Sequence, residues 1–299
     1  MEKRAFGNTD MDLSVLGFGA AEIGYEGASE EEVRSLLNEA LDAGLNIIDT
    51  AECYMNSEEM IGNTVSNRRD DYYLFTKCGH PQGNVVGEDW SRASILSSIE
   101  RSLRRLQTDH VDLVLLHSCA EDVLRNGEAI GALQKARDLG YTRYIGYSGD
   151  SMAARYAIEC GEFDALEISV SIADQEAIGL TLSLAEEQKL GVIVKRPIAN
   201  VAWKTSELPK NPYHQVYWER LQKLDYDFVK GDVSEAVGIA LRFTLGVPGV
   251  HTLIVGTAKP GRWRENAAFL EEGPLSAKLS GSIQSRWKEV ASDTWIGQA

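Results

Sequence analysis

Four side chains of different acid–base character stand at or just after short apolar runs of the chain. Asp49 follows LNII, Tyr54 lies in the segment after it, Lys77 closes YYLFTK and His117 closes VDLVLLH. A tyrosine with its ordinary pKa of about 10 is a poor proton donor near neutrality, but a nearby ammonium lowers that pKa. A carboxylate would keep the lysine charged, and a neutral imidazole would orient a carbonyl oxygen. Such a set protonates an oxygen, while a hydride must come from a redox cofactor.

Each of these four side chains taken alone also has a purely structural interpretation. Asp49 is compatible with a helix cap, Tyr54 with a loop aromatic, Lys77 with a solvated strand end and His117 with a core histidine. Their joint occurrence at successive strand ends favours a site. In α/β barrels, the catalytic groups come from the C-terminal ends of several strands.

The elements that must position these groups are short β-type runs that alternate with amphipathic helical patterns. Several runs are almost continuously apolar, which is typical of parallel strands buried on both faces. The predicted strands are Leu13–Gly19, Leu45–Thr50, Tyr72–Lys77, Val111–His117, Arg143–Ser148, Ala165–Ser171, Gly191–Lys195 and Thr252–Gly256. Ser29 and Glu32 form a capping box before a helix that Gly44 ends. Further helices are predicted at Arg92–Gln107, Glu128–Leu139, Met152–Cys160, Glu176–Lys189, Ser234–Leu245, Gly261–Leu270 and Ala277–Ser292.

Eight alternating units predict a closed parallel barrel rather than an open sheet. An open dinucleotide-binding sheet would need GxGxxG after an early strand, and the chain offers only Gly17-Phe18-Gly19. We therefore predict one α/β domain over residues 1–299, a (β/α)8 TIM barrel with an N-terminal hairpin and a C-terminal helix and tail. The segments Gly79–Trp90 and Val201–Tyr217 are predicted to be loops over the barrel mouth.

The composition excludes some classes of function. A formal net charge of −15 argues against binding to nucleic acid or to an anionic membrane, since both need a basic face. The chain lacks an apolar run of membrane-spanning length and an N-terminal signal-peptide pattern, and its four cysteines have no CxxC spacing. These features predict a cytoplasmic protein with reduced thiols.

From Arg4 to about Asn266 the chain resembles the aldo-keto reductase superfamily. The resemblance is carried by LGFGAAEIG, AGLNIIDTAECY, YYLFTK, SIERSLRRLQTDHVDLVLLHS, GYTRYIGYSG, LGVIVKRPIAN and PGVHTLIVGTAKPGRWRENA. The catalytic tetrad of that family corresponds to Asp49, Tyr54, Lys77 and His117. The resemblance implies reversible, NADP(H)-dependent reduction of a small aldehyde or ketone. Tyr54 would donate the proton, Lys77 and Asp49 would tune it, and His117 would orient the carbonyl.

The resemblance also implies that NADP(H) lies extended across the barrel mouth. Thr257 and Arg262 would then hold the 2′-phosphate, with Glu265 and Asn266 near the adenine. A guanidinium in the first turn of a helix combines a hydrogen-bonding fork with a positive helix end, so NADPH is favoured over NADH. The alternative is an ordinary solvated basic helix start formed by Lys259, Arg262 and Arg264.

Several positions depart from the pattern of the family near the nicotinamide. The Ser-Asn pair of many members is Ser148-Gly149, a glutamine is replaced by Glu167, and a stacking tyrosine is replaced by Lys195 followed by Arg196. Where other members have a lysine before Thr257, this chain has Gly256. We expect the cofactor to pass Ser148, Lys195, Arg196 and Gly256. Tyr25 and Trp90, with Tyr54, are expected to line a mainly apolar substrate pocket, and the tail Asp293–Gly297 to fold over the mouth.

Three alternatives stay open at this point. The barrel could be a cofactor-dependent regulatory subunit, as are the potassium-channel β subunits of the same superfamily, or a cofactor-free isomerase or lyase. Cys53, Cys78 and Cys119 lie near the tetrad in sequence and are compatible with space-filling, with a thiol activated by Lys77, or with an irregular metal site that uses His80 or His117. We predict no metal, and the family resemblance implies a monomer.

Overall fold

A computed structural model describes residues 1–80 and 86–298 of the chain. Two short antiparallel strands come first, β1 (Lys3–Ala5) and β2 (Asp12–Ser14). Eight parallel strands then close a barrel in which β10 pairs with both β3 and β9. They are β3 (Leu16–Gly19), β4 (Ile47–Asp49), β5 (Tyr73–Cys78), β6 (Val111–His117), β7 (Thr142–Ser148), β8 (Ala165–Ser169), β9 (Gly191–Lys195) and β10 (Thr252–Gly256). The predicted (β/α)8 barrel with an N-terminal hairpin is confirmed.

Helices surround the barrel and connect its strands. The α-helices are α1 (Ala21–Tyr25), α2 (Glu30–Asp42), α3 (Ser57–Val65), α4 (Arg92–Leu106), α5 (Glu121–Asn126), α6 (Glu128–Asp138), α7 (Ser151–Glu159), α8 (Glu176–Leu180), α9 (Leu182–Glu187), α10 (Pro212–Leu224), α11 (Val233–Leu245), α12 (Arg262–Glu271) and α13 (Ala277–Val290). Short 3-10 helices lie at Ser66–Asp71, Ala199–Lys204 and Asp227–Lys230. No described helix has the combined length and apolar character that a membrane crossing requires.

The helix α2 shows how local sequence signals become structure. The Ser29 hydroxyl accepts a hydrogen bond from the Glu32 backbone N–H at 3.3 Å, and the Glu32 carboxylate accepts one from the Ser29 backbone N–H at 2.8 Å. The predicted capping box is therefore present, and it satisfies two N–H groups that the first turn leaves free. The helix buries one apolar face against the barrel, made of Val33, Leu36, Leu37, Ala40 and Leu41.

Two of the predicted elements near the barrel mouth are wrong. Val201–Tyr217 is not an extended loop, because it contains part of a 3-10 helix and the beginning of α10. The signal was present: the Asn211 side chain caps α10 and Pro212 occupies its first turn, where a missing N–H has no cost. The predicted helix Glu176–Lys189 is divided at Thr181 into α8 and α9. For the loop Gly79–Trp90, residues 81–85 lie outside the described residues.

The N-terminal hairpin closes the lower end of the barrel. Phe6 and Met11 pack against buried barrel residues that include Phe75, Leu113 and Ile193. The fit is close, because a Cβ atom added at Gly191 would lie 2.4 Å from the Phe6 ring. Apolar side chains of this cluster thus fill the lower end of the barrel, and the opposite end, where the strands have their C-termini, is the one at which α/β barrels place their sites.

Candidate active site

The four groups predicted to act together meet at the C-terminal end of the barrel. Asp49 ends β4, Lys77 is the penultimate residue of β5, His117 ends β6, and Tyr54 lies between β4 and α3. The Lys77 ammonium donates hydrogen bonds to the Asp49 carboxylate and, at 3.1 Å, to the Thr50 carbonyl. Lys77 Nζ lies 5.4 Å from the centroid of the Tyr54 ring, and the Tyr54 and His117 rings meet edge to face at 5.7 Å.

The backbone turns sharply where these strands end. Met55 directly follows Tyr54 in the connection after β4, and Ser118 and Arg196 directly follow the ends of β6 and β9; their φ angles are +49°, +60° and +58°. Each is a left-handed conformation that costs a non-glycine residue roughly 1 kcal/mol or more. Strain of this kind is concentrated at sites that the surrounding structure holds in place.

A buried glutamate holds the segment that follows Lys77. The Glu52 carboxylate accepts hydrogen bonds from the Gly79 N–H at 2.8 Å and the His80 N–H at 3.2 Å. It also contacts the Ser98 hydroxyl and forms an ion pair with Arg101 at 2.8 Å. Sequence reasoning assigned Glu52 no role, although an acidic residue inside the run DTAECY was a visible signal. The contact ties the Tyr54 loop to the end of β5.

Lys77 has two buried carboxylates as neighbours. Besides Asp49, the Glu167 carboxylate of β8 lies 3.3 Å from Lys77 Nζ. Burial alone would lower the pKa of Lys77, but the two carboxylates outweigh it and the pKa is raised. Burial, and then repulsion by Glu167, raises the pKa of Asp49 well above its usual range, against the opposing effect of Lys77. The sequence indicated only that Glu167 stands where the family has a glutamine, and it did not predict the ion pair with Lys77.

Tyr54 shows that the expected effect of Lys77 is only one of several. Burial raises the pKa of the Tyr54 phenol, Lys77 lowers it, and Glu167 and Asp49 raise it again. The net direction is upward, whereas the sequence predicted a fall. Desolvation of the phenolate and two nearby negative charges together exceed the attraction of one ammonium. The Tyr54 phenol is therefore protonated near neutral pH.

The histidine and the thiols of the site are neutral. Burial, followed by repulsion from Lys77 and Lys195, lowers the pKa of His117 well below its usual range. Burial raises the pKa of Cys53 to about 11 and that of Cys119 to about 12. The hypothesis that Lys77 activates a thiol is thus wrong, because desolvation of a thiolate outweighs the attraction of the ammonium.

Aromatic rings line one side of the mouth. We call Tyr25, Tyr54, His117, His80 and Trp90 the aromatic wall; neighbouring ring centroids lie 6.1, 5.7, 5.2 and 5.4 Å apart in that order. Trp90 covers Gly79 closely, since a Cβ atom there would lie 1.9 Å from the indole. Of the predicted pocket residues, Tyr25 is therefore next to Tyr54, and Trp90 is one ring removed from His117. His80, which links Trp90 to His117, was not predicted as a pocket residue.

The residues expected near the nicotinamide line the ends of β7, β8 and β9. The Ser148 hydroxyl donates to Glu167 Oε1 at 3.1 Å. Lys195 is buried and pairs with Asp150 at 3.2 Å, and the Arg196 guanidinium donates to the Ser169 hydroxyl at 2.7 Å. Three of the predicted residues thus adjoin the tetrad through Glu167 and its neighbours on the barrel rim: Ser148, Lys195 and Arg196.

The C-terminal tail folds against the same rim, as the sequence predicted. The Arg196 guanidinium donates to the Gln298 carbonyl, and the Arg220 guanidinium donates to the Ile296 carbonyl at 2.6 Å. The Gly297 N–H donates to the Glu176 carboxylate at 2.7 Å. Buried and partly buried charges therefore fix the last residues beside β8 and β9.

The residues expected at the far end of the cofactor follow β10. The Thr257 hydroxyl accepts a hydrogen bond from the Lys259 N–H at 3.0 Å. Arg262 is the first residue of α12 and pairs with Glu265 at 2.9 Å. Asn266 is buried one turn further along the helix. The predicted residues of this end all lie between the end of β10 and the first turns of α12: Gly256, Thr257, Arg262, Glu265 and Asn266.

An acidic side chain occupies the space that Gly256 leaves free. A Cβ atom at Gly256 would lie 1.5 Å from Glu22 Oε2, so the carboxylate packs directly on the strand end. Burial raises the pKa of Glu22 to about 6. Nothing in the local sequence predicted this contact, because Glu22 lies in α1 and Gly256 ends β10, far apart along the chain. In the described part of the chain, no group of three or more His, Cys, Asp or Glu residues is arranged to hold a metal.

Comparison with known proteins identifies a family for this chain. The profile of the Aldo/keto reductase family matches residues 15–288. The Bacillus subtilis protein YqkF, described as an uncharacterized oxidoreductase, is 29% identical over 97% of this chain and 97% of its own length. L-Galactose dehydrogenase of Arabidopsis thaliana is 37% identical, over 50% of this chain and 49% of its own length.

Solved structures give the same result over almost the whole chain. The holo form of the aldo-keto reductase AKR11C1 from Bacillus halodurans superposes with a TM-score of 0.80 at 28% identity, and the match covers 98% of this chain and 99% of that one. A putative aldo-keto reductase from Pseudomonas aeruginosa, PA4992, superposes with a TM-score of 0.71 at 26% identity, over 90% of this chain and 95% of that one.

Proposed function

This chain belongs to the aldo/keto reductase family, and on that premise we propose that it reduces an aldehyde or ketone to the alcohol with NADPH, reversibly. One observation carries the proposal: a phenol, a charged ammonium and a neutral imidazole converge at the mouth of the barrel in Tyr54, Lys77 and His117. A set of that kind is suited to protonate a carbonyl oxygen.

Each residue has a definite part in the proposed reaction. A neutral His117 donates a hydrogen bond to the carbonyl oxygen and orients it. Tyr54 donates its proton to that oxygen, and Lys77 stabilises the phenolate that results. Asp49 holds the lysine in place through their hydrogen bond. When bound, the reduced nicotinamide supplies the hydride.

The residues present fit a nicotinamide dinucleotide. Glu167 Oε2 is buried and forms an ion pair with Lys77 at 3.3 Å but accepts no hydrogen bond among the described residues, so its second lone pair can accept one from a carboxamide N–H2. Lys195 and Arg196 supply positive charge on the same rim. Arg262 supplies a half-exposed guanidinium at a helix N-terminus, which suits a 2′-phosphate. This arginine is the basis of the proposed preference for NADPH.

The decisive experiment separates binding of the cofactor from its use. NADPH fluorescence is titrated with the protein, and consumption of NADPH is then followed with a panel of aliphatic and aromatic aldehydes and ketones. Binding together with carbonyl-dependent consumption supports the proposal. Binding without consumption by any carbonyl would instead favour the regulatory-subunit alternative, and a protein that binds neither NADPH nor NADH would contradict both.

The remaining predictions from the sequence accompany this proposal. We propose that the chain acts as a single domain and as a monomer, on a small carbonyl compound, in the cytoplasm. The mainly aromatic composition of the wall beside the tetrad suits an apolar carbonyl substrate. Light scattering coupled to gel filtration will test the monomeric state directly.

A further inference from the structure

Cys53 contacts the tetrad histidine, and the proposed mechanism gives this cysteine no role. Its Sγ atom lies 3.4 Å from Nδ1 of His117, across the gap between the β4 loop and the end of β6. In residues 1–80 and 86–298, no other group hydrogen-bonds a ring nitrogen of this histidine. The cysteine is partly buried and directly precedes Tyr54. The contact therefore joins two neighbouring parts of the site.

The plane of the imidazole is set by packing. Its ring meets Tyr54 edge to face at 82° and meets His80 at 69°. The two neutral tautomers of histidine have the same shape, so packing cannot choose between them. The choice depends on the hydrogen bond that one ring nitrogen makes.

The chemistry of the pair allows the direction of that bond to be assigned. Burial lowers the pKa of His117 well below its usual range, so the ring is neutral and has one donor and one acceptor nitrogen. Burial raises the pKa of Cys53 to about 11, so the sulfur keeps its hydrogen near neutral pH. A protonated thiol is a weak donor and a weak acceptor, whereas the bare nitrogen of a neutral imidazole is a much better acceptor than sulfur, so the S–H group points at the ring. Nδ1 is then the acceptor, and the ring hydrogen is on Nε2.

We propose that Cys53 is a positioning residue that fixes the tautomer of His117, donating its S–H to Nδ1 so that Nε2–H faces the substrate oxygen. The inference rests on the proposed function, because it is the carbonyl oxygen that needs a donor from His117. The opposite tautomer would present a bare Nε2 lone pair to that oxygen and repel it.

The direct test is a readout of the tautomer that needs no turnover. In the full-length protein labelled with 15N, two-bond 1H–15N correlation spectra distinguish protonated from bare ring nitrogens. The five histidines give separate patterns, and the signals lost in His117→Asn identify the one of interest. We expect Nδ1 of His117 to be bare in the wild type and to become partly protonated in Cys53→Val. A wild type with protonated Nδ1, or a Cys53→Val protein with an unchanged pattern, would overturn the inference.

Kinetics supply the second readout. Cys53→Val removes the donor at similar volume, and we expect kcat to fall about threefold to tenfold while the Kd of NADPH stays unchanged, since one neutral hydrogen bond is lost. Cys53→Ser keeps a donor and should restore most of the rate. If Cys53→Val is poorly folded, Cys53→Ala serves in both measurements. A Ser variant as slow as the Val variant would count against a role as donor.

Cys160 provides a matched control for the Cys53 variants. Cys160 lies at the end of α7, where its thiol contacts the Ala157 carbonyl, and Cys160→Val should change neither the His117 pattern nor kcat. If no carbonyl is ever reduced, the proposed function fails while the spectra still report the tautomer. If reduction proceeds and the spectra contradict the assigned tautomer, only the role of Cys53 fails.

Discussion

Lys77 Nζ lies 3.3 Å from the Glu167 carboxylate, so the lysine of the site has a second buried counter-ion besides Asp49. The two acids come from different strands, β4 and β8, and both contact the same ammonium. Burial is the largest cause of the raised pKa of the neighbouring Tyr54 phenol. Both acids add to this rise in pKa, against the lowering effect of the Lys77 ammonium near the ring.

Removing the charge of Glu167 should change the pH dependence of the reaction. Because Glu167 raises the pKa of Tyr54, Glu167→Gln should lower it. Oxidation of an alcohol needs the phenolate as base, so the rising limb of its pH–rate profile should move to lower pH. The rate at pH 7 should increase roughly threefold to tenfold. The shift is measured from the profile of kcat against pH for alcohol oxidation. If the rising limb of the Glu167→Gln profile stays at the wild-type pH while the affinity for NADP+ is unchanged, the prediction is contradicted.

Replacing Tyr54 by phenylalanine should remove the proton donor and little else. Tyr54→Phe keeps the ring that packs against His117 and Tyr25. We expect turnover to fall by about 10²–10⁴-fold, as for loss of a general acid, and the Kd of NADPH to change less than about twofold. Steady-state kinetics and fluorescence titration measure the two quantities. If Tyr54→Phe retains turnover or loses NADPH binding, Tyr54 does not have the role of proton donor assigned to it.

Arg262 should discriminate between the two nicotinamide cofactors. If its guanidinium binds the 2′-phosphate, Arg262→Ala should raise the Kd of NADPH about tenfold or more and leave the Kd of NADH nearly constant. Arg264→Ala is the matched control, since Arg264 is two residues further along α12 and pairs with Glu39 at 3.5 Å. Equal losses for both variants would indicate a general effect of positive charge instead.

Asp174 should make stability depend on pH. Burial raises its pKa to about 8, with Arg220 opposing and Asp150 adding to the rise. A raised pKa means that the folded state holds the proton more tightly than the unfolded state. The stability from this group is complete below about pH 4 and is lost as pH rises through about 8.

Asp174→Asn removes this titration. We expect the Tm of the wild type to fall between pH 5 and pH 9 by about 3–6 °C more than that of the variant, as followed by circular dichroism. Asp138→Asn, at the exposed end of α6, should behave as the wild type. A pH dependence that is the same in all three proteins would show that Asp174 is not responsible.

Much of the architecture was readable from local patterns. Val111–His117, Gly191–Lys195 and Thr252–Gly256 were predicted with the bounds that the structure has, because each is an apolar run with a clear end. Parallel strands bring their carboxyl ends to one face of a barrel. That rule alone places Asp49 and Lys77 together without knowledge of any distance.

Other elements were not predicted, because their sequence signals were weak or fitted a loop as well as a helix. The helix α3 begins at Ser57, directly after the Tyr54 loop, and no side chain caps its first turn. The helix α10 was hidden in a segment rich in Pro and Asn, residues that mark loops as often as helix starts.

The sequence by itself determined the order of strands and helices, the closed barrel and the strand ends that carry the tetrad. These follow from the periodicity of apolar residues along the chain and from the common direction of the strands. Only the tertiary structure decided that Glu167 reaches Lys77, that Glu22 packs on Gly256 and that Cys53 contacts His117. Each of these contacts joins residues from different strands or from a strand and a distant connection. Their distances depend on barrel closure and side-chain packing, which no local pattern encodes.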